Sequence, residues 1–165
     1  MTLPRVLKLE GSQLIQQPIL EASKLRTKAK VFNNVEFNGE TSIGFLMDKC
    51  SELVLKGRVE KELMLKFSQT EDDFFTIKIT DNQVMLDTMT SQLYPQQPRW
   101  VYSPVDTEDF DLRIYFDQSS IEIFAYEGKR LITTRIYFED ETYSLEVTGE
   151  QSTLEILEYF ELTLE

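Results

Sequence analysis

Most of the chain alternates apolar and polar residues in twos, the period of a pleated strand with one buried face. In Leu112-Arg113-Ile114-Tyr115-Phe116-Asp117, the residues Leu112, Ile114 and Phe116 share one face and Arg113, Tyr115 and Asp117 the other. Gln118-Ser119 is a short polar break, after which Ile121, Ile123 and Ala125 alternate with Glu122, Phe124 and Tyr126 up to a turn at Glu127-Gly128. Arg130 to Phe138 continues the series with Ile132, Thr134, Ile136 and Phe138 on one side. The branched and aromatic residues here suit a pleated surface, so three consecutive antiparallel strands are expected.

The same pattern marks Thr41 to Met47, Glu52 to Val59, Leu63 to Phe67, Phe74 to Ile79, Val84 to Leu86, Thr142 to Thr148 and Leu154 to Leu164. About ten strands follow. Breaks at Glu71-Asp72-Asp73, Asp81-Asn82, Gly149-Glu150 and Pro95 to Pro98 fall at the spacing of a sandwich or barrel. One short helix is expected around Ile19 to Arg26, where Pro18 sits at a start position and Glu21 lies in the first turn. The last segment is open to two readings. Leu154, Ile156, Leu157, Phe160 and Leu164 could share a helix face, but period two runs through Leu154, Ile156, Phe160, Leu162 and Leu164 with one break at Glu158, which favours a strand.

Composition narrows the chemistry. The chain has 165 residues, enough for one domain that buries roughly two thirds of its unfolded surface, and a formal charge of -12. That acid excess argues against a nucleic-acid or anionic-membrane partner, since phosphate binding draws on clustered Lys and Arg. There is no histidine, which removes Ser-His-Asp and Cys-His catalysis, an HExxH zinc site and an imidazole base. Cys50 has no partner for an internal disulfide, and it reads as a small buried hydrophobe in a reducing compartment. No Gly-rich phosphate loop or membrane-length apolar run occurs, and no cofactor is expected. The opening Met1-Thr2-Leu3-Pro4-Arg5 turns polar by Lys8, unlike an export signal, so a cytoplasmic location is expected.

Carboxylates are the abundant reactive groups, and a glycoside hydrolase needs two of them about 5 to 10 Å apart. Asp117 and Glu122 flank one turn and could face each other; the plainer reading is that Asp117 serves the turn backbone and Glu122 is solvated or paired. Glu71-Asp72-Asp73 lacks the glycine and distal glutamate of a calcium loop and reads as a solvated turn. Trp100 and Tyr102, two apart, would share a strand face able to stack on a sugar ring, with Tyr94 near, although a lone Trp in an all-β chain more often packs in the core. Arg5, Arg26, Arg99, Arg113 and Arg135 are isolated cations, best explained by salt bridges within or between domains.

Asp111 to Tyr137, DLRIYFDQSSIEIFAYEGKRLITTRIY, resembles the C-terminal β-sandwich module of the glycoside hydrolase family 32 β-fructosidases. That family repeats an Arg-containing strand, an Asp-x-Ser-Ser turn, a Glu-x-Phe strand, a Gly turn and a Thr-x-Arg-Ile strand. Arg113, Asp117, Ser119, Ser120, Glu122, Phe124, Gly128, Thr133 and Arg135 fill those places. The opening MTLPRVLKLEGSQLIQQPILEASKLR is similar to the family's crossover from propeller to sandwich, with Leu3-Pro4-Arg5 and a Gln-x-Pro before a short helix. Val84 to Thr88 stands where members often have Leu-Asp-Arg, and Thr88 departs from that Arg.

The resemblance implies an all-β fold of two six-stranded antiparallel sheets face to face, with residues 1–26 as crossover and 27–165 as sandwich. It implies family-motif roles in structure or domain contact for Arg5, Arg113, Asp117, Ser119, Ser120, Glu122, Phe124 and Arg135, and no catalytic residue. The family's nucleophile, its Arg-Asp-Pro aspartate and its Glu-Cys acid/base belong to a preceding five-bladed propeller, and none of those motifs occurs here. The expected role is to support that propeller by packing, with dimer contacts or fructan or sucrose contact in some members. Two other functions compete: a freestanding carbohydrate-binding module using Trp100 and Tyr102, and a structural or oligomerisation domain. Sandwich folds host all three.

Overall fold

The computed structural model describes residues 3–90, 100–102 and 109–163, without the side chains of Trp100 and Tyr102. Eleven strands run in order: β1 Arg5–Glu10, β2 Gln13–Pro18, β3 Arg26–Asp48, β4 Ser51–Ser68, β5 Phe74–Ile79, β6 Val84–Asp87, β7 Trp100–Tyr102, β8 Asp109–Asp117, β9 Ser120–Ala125, β10 Arg130–Arg135 and β11 Thr142–Leu162. The only helical element among the described residues is a 3-10 helix, Leu20–Leu25, inside the Ile19 to Arg26 span where a short helix was expected. With one buried residue, Ala22, and no side-chain cap, it lacks the apolar face that would hold an α-helix.

Three strands are far longer than the periodicity indicated. At about 3.3 Å per residue an 18-residue strand such as β4 would extend roughly 60 Å, whereas a 165-residue domain has a radius of gyration near 15 Å. The strands therefore bend, and the pairing shows where. Residues 51–58 of β4 pair with β8, and residues 63–68 pair with β5. Along its other edge β4 follows β11 through both halves, with register shifts between Glu150 and Ser152 and between Leu154 and Ile156. The bend divides the hydrogen-bonded network into two layers of six strand segments, β10-β9-β8-β4-β11-β3 and β3-β11-β4-β5-β6-β7. This is the antiparallel sandwich, with β3, β4 and β11 shared between its sheets.

Period two governs β4 throughout. Leu53, Leu55, Val59, Leu63, Leu65 and Phe67 are all buried, and Lys61 at the bend is the exposed exception. In β11 the inward set is Tyr143, Leu145 and Val147, then Ser152 and Leu154, then Leu157 and Tyr159. Each irregularity inserts a residue and flips the parity. The final segment is thus a strand, as favoured, but Ile156, Phe160 and Leu162 face outward rather than joining Leu154 in the core.

The layers meet through aromatic rings. Phe67 stacks on Phe75 at 4.7 Å within one sheet and reaches Phe116 of the other at 5.2 Å. Phe138 and Tyr143 lie 4.9 Å apart on the same cluster. β3 spans both layers, so that Phe32 near its start stacks on Phe45 near its end at 5.7 Å. Phe67 has no exposed surface and sits where both sheets converge. Replacing Phe67 by Ala is expected to cost about 4 kcal/mol, by the lost transfer energy plus the cavity left behind. Urea unfolding measures it, and a loss below about 1 kcal/mol would contradict this placement.

Candidate functional site

The outward face of the β8-β9-β10 meander carries the polar set of the alternation, yet much of it is buried. Register aligns Thr133, Glu122, Tyr115 and Glu52 in one row across β10, β9, β8 and β4. Residues 3–25 cross above this row. Leu3, Ile19 and Ala22 from the crossover pack with Tyr115, Phe124, Leu131 and Leu162 as a second, smaller apolar cluster outside the main core.

Both carboxylates in the row hold the crossover. Glu122 accepts the Leu3 amide on Oε1 at 2.6 Å and Arg5 Nη2 on Oε2 at 2.7 Å. Arg5 also donates to Thr133 Oγ1 at 3.0 Å and to Gln16 Oε1 at 3.2 Å. At the crossover's other end, Arg26 engages Glu52 with two donors, Nε at 2.8 Å and Nη2 at 2.9 Å, while Arg113 Nε donates to Glu52 Oε1 at 2.5 Å. Arg26 also lies over the Phe160 ring, 4.1 Å from its centroid. Glu52 has no exposed side-chain surface. Burial pushes its carboxyl up, but the hydrogen bonds from Arg26 and Arg113 outweigh that and hold it below the ordinary carboxylate value.

Tyr115 lies between the two carboxylates. Its hydroxyl is buried beside Glu52, and burial together with the Glu52 charge raises its pKa, keeping it protonated. A cleft of about 610 Å³ opens beside it, walled by Leu3, Pro4, Leu162, Cys50, Asp117 and Glu122 among others. Cys50 is half-buried at this cleft rather than in the core. It follows the bend between β3 and β4, where burial and the nearby Asp117 push its thiol pKa up, away from nucleophilic reactivity.

The other sequence-derived residues fall as follows. Asp117 caps the turn by accepting Gln118 N at 2.8 Å, and Ser119 O accepts from Ile136 N at 3.2 Å. Ser120 pairs with Asp117 and Arg135 across the meander, and Arg135 donates to the Tyr137 hydroxyl at 3.1 Å. Phe124 is buried beneath the Arg5 guanidinium, 5.8 Å from ring centroid to carbon. Gly128 adopts φ +88, and a Cβ there would stand 2.2 Å from Gln16 O, so this turn requires glycine. Thr88 is buried with its hydroxyl unpartnered among the described residues. The side chains of Trp100 and Tyr102, with Tyr94 and Arg99, lie outside the described residues.

Asp117 and Glu122 share one cleft, where Glu122 accepts from Arg5 and Leu3 and Asp117 is an exposed turn cap. No group of three or more acidic or cysteine side chains among the described residues could hold a metal ion. Arg26 was legible as a cation awaiting a salt bridge, but its partner Glu52, and Tyr115 beside it, went unnoticed because Glu52 and Arg26 lie at strand starts 26 residues apart and nothing local marks Glu52 as buried.

Because the Glu52 carboxyl titrates lower in the folded chain than in the unfolded one, its ion cluster stabilises the fold fully above the ordinary value of 4.5, and the contribution is lost as pH falls through the depressed folded value. Replacing Glu52 by Gln is expected to cost about 3 kcal/mol at pH 7. In urea unfolding the gap between wild type and E52Q should narrow steadily below pH 4.5. A gap that stays constant from pH 7 to pH 3 would contradict the pairing.

Comparisons with known proteins agree with this architecture. The family model described as "Glycosyl hydrolases family 32 C terminal" matches residues 21–161. Among curated relatives, the sucrose-6-phosphate hydrolase of Staphylococcus xylosus is 28% identical over 96% of this chain and 34% of its own length, and the raffinose invertase of Escherichia coli 26% identical over 83% and 29%. The chain therefore spans about a third of the relatives it matches. In fold it is similar to fructan 1-exohydrolase IIa of Cichorium intybus, with TM-score 0.79 at 17% identity, covering 98% of this chain and 41% of that one. The GH32 β-fructofuranosidase of Bombyx mori gives TM-score 0.76 at 22% identity over 98% and 32%. With the family model covering residues 21–161, and so the whole motif meander, the chain belongs to the C-terminal domain family of the family 32 glycosyl hydrolases.

Proposed function

We propose that this chain is the non-catalytic C-terminal sandwich of a β-fructosidase, and that it supports a preceding catalytic propeller by packing against it. The observation that carries this reading is the commitment of Glu52 and Glu122 to pinning the crossover. A segment that would link two domains is clamped at both ends by buried carboxylates, and the same clamps leave the cleft without a free acid/base pair. The relatives' names, a sucrose-6-phosphate hydrolase and an invertase, support a parent that acts on sucrose, sucrose-6-phosphate or a fructan. The hydrolytic step then belongs to residues of the propeller, and this chain's part is to hold the linker in one conformation.

Incubated with sucrose, sucrose-6-phosphate or inulin, the purified chain is expected to release no fructose above buffer. An antibody against it should detect a native polypeptide several times heavier than 19.4 kDa in the source cells. Turnover by the chain alone, or a native species of its own mass, would overturn the reading.

A further inference from the structure

Nine large hydrophobic side chains stand exposed among the described residues, and five of them, Val6, Leu7, Leu9, Leu14 and Leu20, fall within the first 20 positions. Three form one patch. In the β1–β2 hairpin Leu9 lies directly opposite Leu14, and Leu7 is two residues along the same face of β1. They are 69%, 49% and 61% exposed. Arg5 shares that face but is engaged by Glu122, and Lys8 and Glu10 on the opposite face pair with each other at 2.7 Å. The patch is therefore apolar without a charge of its own to solvate it.

The backbone is equally one-sided. β2 is anchored to the sandwich, with Ile15 buried and Gln16 N donating to Gly128 O at 3.0 Å. β1 pairs only with β2 among the described residues, which leaves its outer edge without strand partners. A two-stranded ribbon is marginal in water, and an apolar edge strand is ordinarily covered or charged to prevent pairing with a neighbour.

Two facts say what covers it. The relatives carry about two thirds of their length outside the region matched here, and the matching family model is a C-terminal one, so that length precedes this chain's counterpart. β1 begins two residues after Leu3, so a domain joined ahead of Leu3 is tethered within about 7 Å of the open edge. We propose that the β1–β2 hairpin, through the open edge of β1 and the Leu7, Leu9 and Leu14 face, is the docking surface for the preceding catalytic domain. This rests on the function proposed above and adds the surface that makes the contact. The partner surface must be apolar and end in an unpaired strand edge, so that β1 gains ladder hydrogen bonds as the leucines are covered.

Hydrogen exchange tests this, comparing the native gene product, captured by antibody, with the 165-residue chain. Amides of β1 should exchange at least tenfold more slowly in a heavier native product. The substitution Leu9→Asp should abolish that protection while leaving the melting temperature of the chain alone unchanged. A heavier product whose β1 exchanges as fast as in the chain alone would overturn this docking surface and leave the function standing. So would L9D that keeps the protection, or L9D that destabilises the chain alone, since Leu9 would then serve this domain internally. A native product no heavier than the chain would end both readings.

Discussion

The structure depends on burying two carboxylates under a segment that brings its own cations. An ionised glutamate removed from water without a partner is strongly destabilising, so Glu52 and Glu122 are tolerable only while Arg26, Arg113, Arg5 and the Leu3 amide stay where they are. The dependence runs both ways. The crossover buries few apolar side chains, and its own elements are one two-stranded hairpin and one 3-10 helix, so the same contacts that satisfy the sheet fix its path from Leu3 to Arg26.

This arrangement is coupled to the core through β4. Glu52 projects outward from the strand whose Leu53 and Leu55 line the core, and further along the same strand Phe67 sits at the meeting of the two sheets. Strands that cross both layers make the sandwich one hydrogen-bonded network rather than two stacked sheets. Movement at the pinned face is thereby resisted by the aromatic cluster, and a linker clamped to this face inherits the stiffness of the whole domain. The supporting role proposed above would draw on that stiffness, since what such a module contributes to a neighbour is position.

The meander from Leu112 to Arg135 was legible because a strict two-residue period and short turns leave few alternatives. Its polar set was legible only as polar: nothing local says that Glu122 is buried, since the group that covers it, Arg5, lies 117 positions away. β3 was half missed because as an edge strand its residues 26–36 are mostly exposed and polar, with no alternation to follow. The hairpin β1–β2 was missed for the opposite reason, having apolar residues on a face that the sandwich does not bury. In β11 the strand was legible but its inward face was not, because bulges shift the parity and are set by the bend, a tertiary feature. The family motif identified the module from the turn and strand residues together, and at Gly128 the structure shows what one of those places requires: its conformation and the approach of Gln16 both exclude a side chain.

The most direct measurement is tryptic cleavage within residues 3–26 of the E52Q/E122Q double variant, beside wild type, at neutral pH and under conditions where both remain folded. Release of the crossover should speed cleavage at Lys8 and Lys24 at least tenfold while the sandwich core resists digestion as before. Cleavage there at the wild-type rate, or digestion of crossover and core together, would contradict the claim that the buried carboxylates hold this segment in place.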